Sequence, residues 1–146
     1  MEGERLEMRL TATEVGFFED YEDEEALEVG VSGIDDAGVR RSFSIQRSTY
    51  EPDEQEVQSG MDSYNVSNEQ GFTVYGCLRR VRLNGTMLYL QFTAEDAEIL
   101  ETSAVVEVDL RDSGVEITNL STKLRDILDW GAPEKRPELI GMNVSE

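Results

Sequence analysis

Carboxylates are the side chains through which this sequence could do chemistry. Its 146 residues include 32 Asp and Glu, no histidine and a single cysteine, Cys77. Two carboxylates can act together as acid and base in glycoside hydrolysis, but with so many acids close pairs arise by chance and none stands out. The absence of histidine excludes histidine-dependent nucleophiles and the usual zinc ligand sets. The sequence therefore predicts no catalytic residue and no metal site.

Other reactive patterns are also missing. The glycines at Gly30, Gly33 and Gly38 do not have the spacing of a dinucleotide-binding or P-loop motif, and no lysine follows them to reach a phosphate. Cys77 cannot form an internal disulfide, and its place beside Leu78 in an apolar stretch predicts a buried, inert thiol. The sequence predicts no cofactor.

The acids are concentrated in one short run of the sequence. Only Tyr21 interrupts this run, whose acidic members are Glu19, Asp20, Glu22, Asp23, Glu24 and Glu25. The run lacks the alternate acids and central glycine of a calcium-binding loop. Two interpretations stay open: an ordinary solvated loop, and a surface for a basic partner.

The overall charge restricts the kinds of partner. A formal net charge of −19 excludes a protein that binds nucleic acid by neutralising phosphates, and it favours a basic macromolecular partner. No apolar run approaches the roughly 20 residues of a membrane span, and residues 1–10 alternate charged and apolar residues, unlike a signal peptide. We expect a cytoplasmic protein that binds neither nucleic acid nor membranes. Self-association stays open.

Hydrophobic periodicity indicates mostly strands. Alternation over residues 6–12, 27–31 and 43–45 predicts an antiparallel meander in the first fifty residues. Proline at position 52, followed by acids, predicts a short helical turn over 51–55. Asn84-Gly85 predicts a tight hairpin, because both residues tolerate the positive φ of a type I′ turn.

The rest of the chain predicts two helices and one further strand. Thr93 is a candidate N-cap for a short helix that ends near Glu101, and residues 105–110 form a strand. The apolar spacing from Ile117 to Leu128 follows one helical face. The expected fold is α+β, a mostly antiparallel sheet of about seven strands with two helices in the C-terminal half. We expect one domain over 1–131 and an extended or mobile tail over 132–146.

The middle of the chain resembles a known family. The segments Ser44-Ile45-Gln46-Arg47-Ser48, Asp53-Glu54-Gln55-Glu56 and Gly60-Met61-Asp62-Ser63-Tyr64, followed by Gln70 and Gly76, match in order and spacing the core of the immunity protein 10 family of bacterial polymorphic toxin systems. The later hairpin, short helix, strand and terminal helix are also what that family shows. The resemblance spans roughly residues 6–130 and does not include the acidic run.

The resemblance implies a non-enzymatic cytosolic protein that binds a cognate toxin domain and blocks it. Within the matched region, the candidate partner-binding residues are Gln46, Asp53, Gln55, Asp62 and Tyr64, because connections between strands often carry binding residues. The acidic run, residues 19–25, joins them as a surface that would steer a basic toxin. One alternative is an acidic nucleic-acid mimic that inhibits a DNA- or RNA-binding protein.

Overall fold

A computed structural model describes residues 7–142. The described residues form nine strands, three α-helices and one short 3-10 helix. The strands are β1 Glu7–Asp20, β2 Ala26–Asp35, β3 Arg40–Ser48, β4 Asn65–Asn68, β5 Thr73–Tyr75, β6 Leu78–Asn84, β7 Met87–Phe92, β8 Val105–Asp109 and β9 Glu138–Ile140. The helices are α1 Glu54–Gln58, α2 Ala94–Ile99 and α3 Ile117–Leu128, and the 3-10 helix is Pro133–Lys135.

All nine strands belong to one mixed sheet. The strand order is β5-β4-β3-β2-β1-β8-β7-β6-β9. Neighbouring strands are antiparallel except for β1 with β8 and β6 with β9, which are parallel. The α+β class and the mostly antiparallel pairing are confirmed. The two edge strands, β5 and β9, have only three residues each.

The predicted count of about seven strands is too low, and the helix count omits one. Strands of three residues are too short to show alternation, which explains why β5 and β9 are not evident in the sequence. The additional helix, α1, begins at Glu54 after Asp53 as N-cap. It lies later than the predicted turn at 51–55, so Pro52 precedes the cap instead of opening the helix.

The segment after Gly131 contributes to the sheet. Pro133–Lys135 forms the 3-10 helix and β9 pairs with β6 from Glu138 to Ile140. The Arg125 guanidinium on α3 donates to the Met142 carbonyl oxygen at 3.0 Å. The predicted tail thus includes residues that pack on the domain as far as Met142, and its last four residues lie outside the described part of the chain.

The hydrophobic core lies on one face of the sheet, under α2 and α3. Alternate residues of the central strands are buried there, and α3 packs against β2 and β3 through Leu120, Leu124 and Leu128. The opposite sheet face carries polar side chains such as Glu28 and Gln46, together with the exposed aromatic residues Phe18 and Tyr75. In residues 7–142 the helices are all too short or too polar to cross a bilayer.

Candidate partner-binding site

The acidic run lies at the far end of the longest hairpin. β1 and β2 pair from Leu10 with Asp35 to Asp20 with Ala26, so residues 21–25 form the connecting loop at the tip. We call residues 21–25 the acidic loop. β1 has 14 residues, which at about 3.3 Å per residue separates the loop from the start of the strand by roughly 40 Å.

Asp20 shapes this loop. Its Oδ1 accepts hydrogen bonds from the backbone N–H groups of Glu22 at 2.8 Å and Asp23 at 3.0 Å. These bonds stabilise the carboxylate and lower the pKa of Asp20. Glu25 closes the loop with a φ of +53°, a left-handed conformation that is uncommon for a residue other than glycine. Asp20 therefore positions the loop backbone.

The acids of the run differ in how far they are neutralised. Glu19 lies on the helix-covered side of β1 and pairs with Lys123 of α3 at 2.5 Å. The four acids of the loop itself, Glu22, Asp23, Glu24 and Glu25, are exposed, and no ion pair among residues 7–142 involves them. The negative charge of the run is thus concentrated in the acidic loop.

The end of β3 lies beside the acidic loop, and α1 follows β3 in the chain. The Thr49 N–H donates to the Glu25 carbonyl oxygen at 3.0 Å, which ties the end of β3 to the acidic loop. Asp53 caps α1, and a capping box with Glu56 holds both ends of that turn. Gln55 is exposed on α1. The Asp53 carboxylate is thus engaged as the N-cap of α1.

Gln46 lies on the open face of the sheet, away from the core. Its cross-strand neighbours are Glu28 on β2 and Asn65 on β4. The Asn65 side-chain oxygen is buried without a hydrogen-bond partner in the described structure. Strand pairing with Glu28 places Gln46 near the loop, but its side chain lies on the opposite face of the sheet from Glu19.

Asp62 attaches the C-terminal segment to this end of the sheet. Its carboxylate accepts from the Lys135 ammonium at 2.5 Å, and this bond lowers the pKa of Asp62. The Asp62 carbonyl oxygen accepts from the Ala132 N–H at 3.0 Å. Gly131 has a φ of +85°, and a Cβ there would overlap that same carbonyl. Only glycine fits this close approach.

Tyr64 is part of the core. Its side chain is 0% exposed, and its hydroxyl accepts from the Leu78 N–H at 2.9 Å and contacts the Lys135 carbonyl oxygen at 3.1 Å. Burial raises the pKa of Tyr64. Because this side chain is fully buried, it cannot contact a partner. Its hydroxyl instead joins Leu78 to the C-terminal segment at Lys135.

The predicted residues other than Tyr64 and Gln46 share one end of the molecule. We call this region the acidic end: the acidic loop, residues 49–62 and the C-terminal end of α3. Four basic residues at or beside this region form ion pairs: Arg47 with Asp126, Lys123 with Glu19, Lys135 with Asp62 and Arg136 with Asp129. Arg125, in the last turn of α3, donates to the Met142 carbonyl oxygen. The acidic end therefore keeps an excess of negative charge.

Exposed apolar side chains accompany these acids, and sequence reasoning missed them. Tyr21 is 61% exposed in the acidic loop and Val57 is 53% exposed on α1, with Tyr50 and Met61 nearby in the chain also exposed. A cavity of about 340 Å³ lies beside Val57 and is lined in part by Pro52 and Trp130. Aromatic residues and methionine are enriched at the centres of protein interfaces. The signal is their position outside any alternating pattern, with Tyr21, Tyr50 and Met61 in loops and Val57 on the short helix α1.

Metal-ligand geometry and the state of the cysteine follow from the described residues. In residues 7–142, no three Cys, Asp or Glu side chains come close enough to hold a metal ion. Cys77 is buried, and burial raises the pKa of its thiol, which keeps it protonated.

Comparison with known proteins identifies the family. No curated protein and no solved structure shows significant similarity to the chain. The family model of immunity protein 10 matches residues 11–118. That match covers most of the described sheet together with α1 and α2 and reaches the first turn of α3. The chain therefore belongs to the immunity protein 10 family.

Proposed function

We propose that this protein binds a cognate toxin domain in the cytoplasm and neutralises it without catalytic activity of its own. Membership of an immunity family supports the neutralising role. The proposal places the contact at the acidic end, because exposed apolar side chains there lie among carboxylates that no basic residue of the described chain neutralises. That combination is the observation that carries the proposal.

The proposed partner surface is basic. Opposite charge speeds the encounter of two proteins and suppresses unsuitable partners. The apolar side chains Tyr21, Tyr50, Val57 and Met61 would then supply the buried centre of the interface, where a few anchors contribute most of the binding free energy. The carboxylates around them would act mainly on the association rate.

A first experiment tests neutralisation itself. The toxin domain encoded beside this gene is co-expressed with the protein, and growth is measured; the purified pair is then passed through a size-exclusion column. We expect restored growth and a joint peak. Separate elution at micromolar concentration together with arrested growth would show that the proposed function is wrong.

A second experiment tests the contact surface. Glu22, Glu24 and Glu25 are changed to glutamine and Asp23 to asparagine, and association is measured at two ionic strengths. We expect the association rate at low salt to fall roughly tenfold, with a flatter salt dependence and little change in dissociation.

The matched control removes four exposed acids outside the acidic end, namely Glu14→Gln, Asp112→Asn, Glu116→Gln and Glu138→Gln. Both variants change the net charge equally, so a general field effect slows both alike. Equal slowing would favour the nucleic-acid mimic, which would also inhibit unrelated DNA-binding proteins. If association is slower only in the acidic-loop variant, the result supports a contact at the acidic end.

A further inference from the structure

A larger cavity lies at the opposite end of the sheet from the acidic loop. Its volume is about 720 Å³, and its walls are the β2–β3 turn, α2 and the segment that leads into β8. The first described residue of β1, Glu7, lies at its edge. We call it the distal cavity.

Among residues 7–142, six carboxylates and no basic side chain line the distal cavity; they are Glu7, Asp35, Asp36, Glu95, Glu98 and Glu101. Asp35 and Glu101 accept hydrogen bonds from neighbouring groups of the fold. Asp35 accepts from the Ala37 and Val39 N–H groups within its own turn, and Glu101 accepts from the Gln70 amide at 3.2 Å. Glu7, Glu95 and Glu98 are exposed and take part in none of the ion pairs within residues 7–142.

The floor of the cavity is apolar. Met8 is 7% exposed and Ala97 is 4% exposed, and Ala37, Ala94 and Ala104 continue the apolar lining. Beneath the floor, Arg41 contacts the Met8 sulfur, but its guanidinium is directed to Glu69 at 2.9 Å and to the Leu100 carbonyl oxygen at 3.1 Å. This cation is therefore already engaged below the cavity.

The cavity is better suited to an organic cation than to a metal ion. Its carboxylates do not form a group of three that could hold a metal ion in the described structure. A cavity with an apolar floor and carboxylates at its edge is matched by a long apolar stem that ends in a delocalised charge. Arginine has such a stem, and its weakly hydrated guanidinium donates to several carboxylates at once.

We propose that the distal cavity docks an arginine-bearing segment of a protein partner. The volume lies within the range of pockets that enclose a ligand of several side-chain lengths. A standard interface covers about 800 Å² of each partner, so a compact domain seated on the acidic end, roughly 40 Å away along β1, leaves this cavity open to an extended segment. The proposal does not depend on which protein supplies that segment.

The test is an NMR titration of the isotope-labelled protein with a blocked hexapeptide that contains two arginines. The same peptide with citrulline in their place is the neutral control. We expect saturable amide shifts at Met8, Ala37 and residues 94–104, and at least fivefold weaker binding of the citrulline peptide. Shifts that spread equally over the acidic loop would overturn the proposal, because they would indicate only general attraction to a charge of −19.

Variants with matched charge separate the cavity from the general field. Glu95→Gln with Glu98→Gln should weaken arginine-peptide binding at least fivefold, whereas Glu14→Gln with Glu116→Gln should change it less than twofold. Equal loss in both pairs contradicts the proposal. Ala94→Leu, at an exposed position, fills the cavity without changing charge and should also abolish the shifts, with the thermal transition confirming that the variant is folded.

The last experiment is the same NMR titration with spermidine in place of the peptide. If spermidine reproduces the shifts while the arginine peptide produces none, the cavity takes a free polyamine, and the inference of a docked protein segment is wrong.

Discussion

The two ends of the sheet are both acidic, but they hold their acids in different ways. At the acidic end, carboxylates that take part in no ion pair within residues 7–142 project from a loop, and beside it Tyr64 and the Asp62–Lys135 pair join the C-terminal segment to the sheet. At the distal cavity, the carboxylates surround a concave apolar surface, and an Arg41–Glu69 pair lies beneath it. The same residue type thus forms a convex surface suited to steering and a concave one suited to enclosing a side chain.

The largest expected effect concerns the support of the acidic end. Tyr64→Ala should lower the free energy of unfolding by about 3–5 kcal/mol, because it leaves a cavity in the core and removes the hydroxyl from the Leu78 N–H. Urea unfolding followed by circular dichroism measures this. Tyr64→Phe keeps the ring and should cost about 1–2 kcal/mol. A loss below 1 kcal/mol for the alanine variant would show that Tyr64 does not hold this end together.

A smaller effect is expected behind the distal cavity. Asn68 is buried; its side-chain oxygen accepts from the Gln70 and Phe72 N–H groups, and its amide donates to the Leu100 carbonyl oxygen. Asn68→Ala should lower the free energy of unfolding by about 1–3 kcal/mol, since two N–H groups lose their partner. The control is Thr118→Ala, at an exposed position on α3, which should change the free energy of unfolding by less than about 0.5 kcal/mol.

The pH dependence of the Asp62–Lys135 pair gives the third prediction. The pKa of Asp62 is lowered in the folded state, so the pair stabilises the fold above the unfolded-state pKa, and this contribution disappears as the pH falls through the folded-state pKa. Asp62→Asn should therefore cost about 0.5–1 kcal/mol at neutral pH and nothing at the acid limit. Parallel urea unfolding of both proteins across this range measures the difference. A constant difference at all pH values would contradict the role of the charge.

The smallest effect is expected for stability at the acidic loop. Removing the four charges from Glu22 to Glu25 should leave the free energy of unfolding within about 0.5 kcal/mol, or raise it slightly, because exposed neighbouring carboxylates contribute no packing and repel one another. Thermal unfolding at low and high salt tests this. A loss greater than 1 kcal/mol would mean that the loop stabilises the fold and that its charges are not free for a partner.

Local signals predicted local structure well. Asn84-Gly85 forms the hairpin turn between β6 and β7, with Gly85 at a φ of +62°. Thr93 caps α2 and accepts from the Asp96 N–H. The apolar spacing from Ile117 to Leu128 matches α3 residue for residue. Each of these features depends on residues fewer than a dozen positions apart.

Long-range features escaped prediction for a physical reason. The parallel pairing of β1 with β8 joins Glu7 to Val105, and nothing in either strand specifies its neighbour. Tyr64 is predicted as a contact residue because it lies in the segment that resembles the family core, at a connection between strands, and nothing local in the sequence shows that its side chain is buried. The distal cavity is assembled from three separate segments, so its six carboxylates never appear together in the sequence.

The two shortest strands occupy the two edges of the sheet. An edge strand exposes unpaired backbone groups that can template the addition of another chain, but β5 and β9 offer only three residues each. Pro137, directly before β9, lacks an N–H group, which shortens that edge further. We therefore expect β5 and β9 to be poor templates for the addition of another strand, so that association through these two edges is disfavoured.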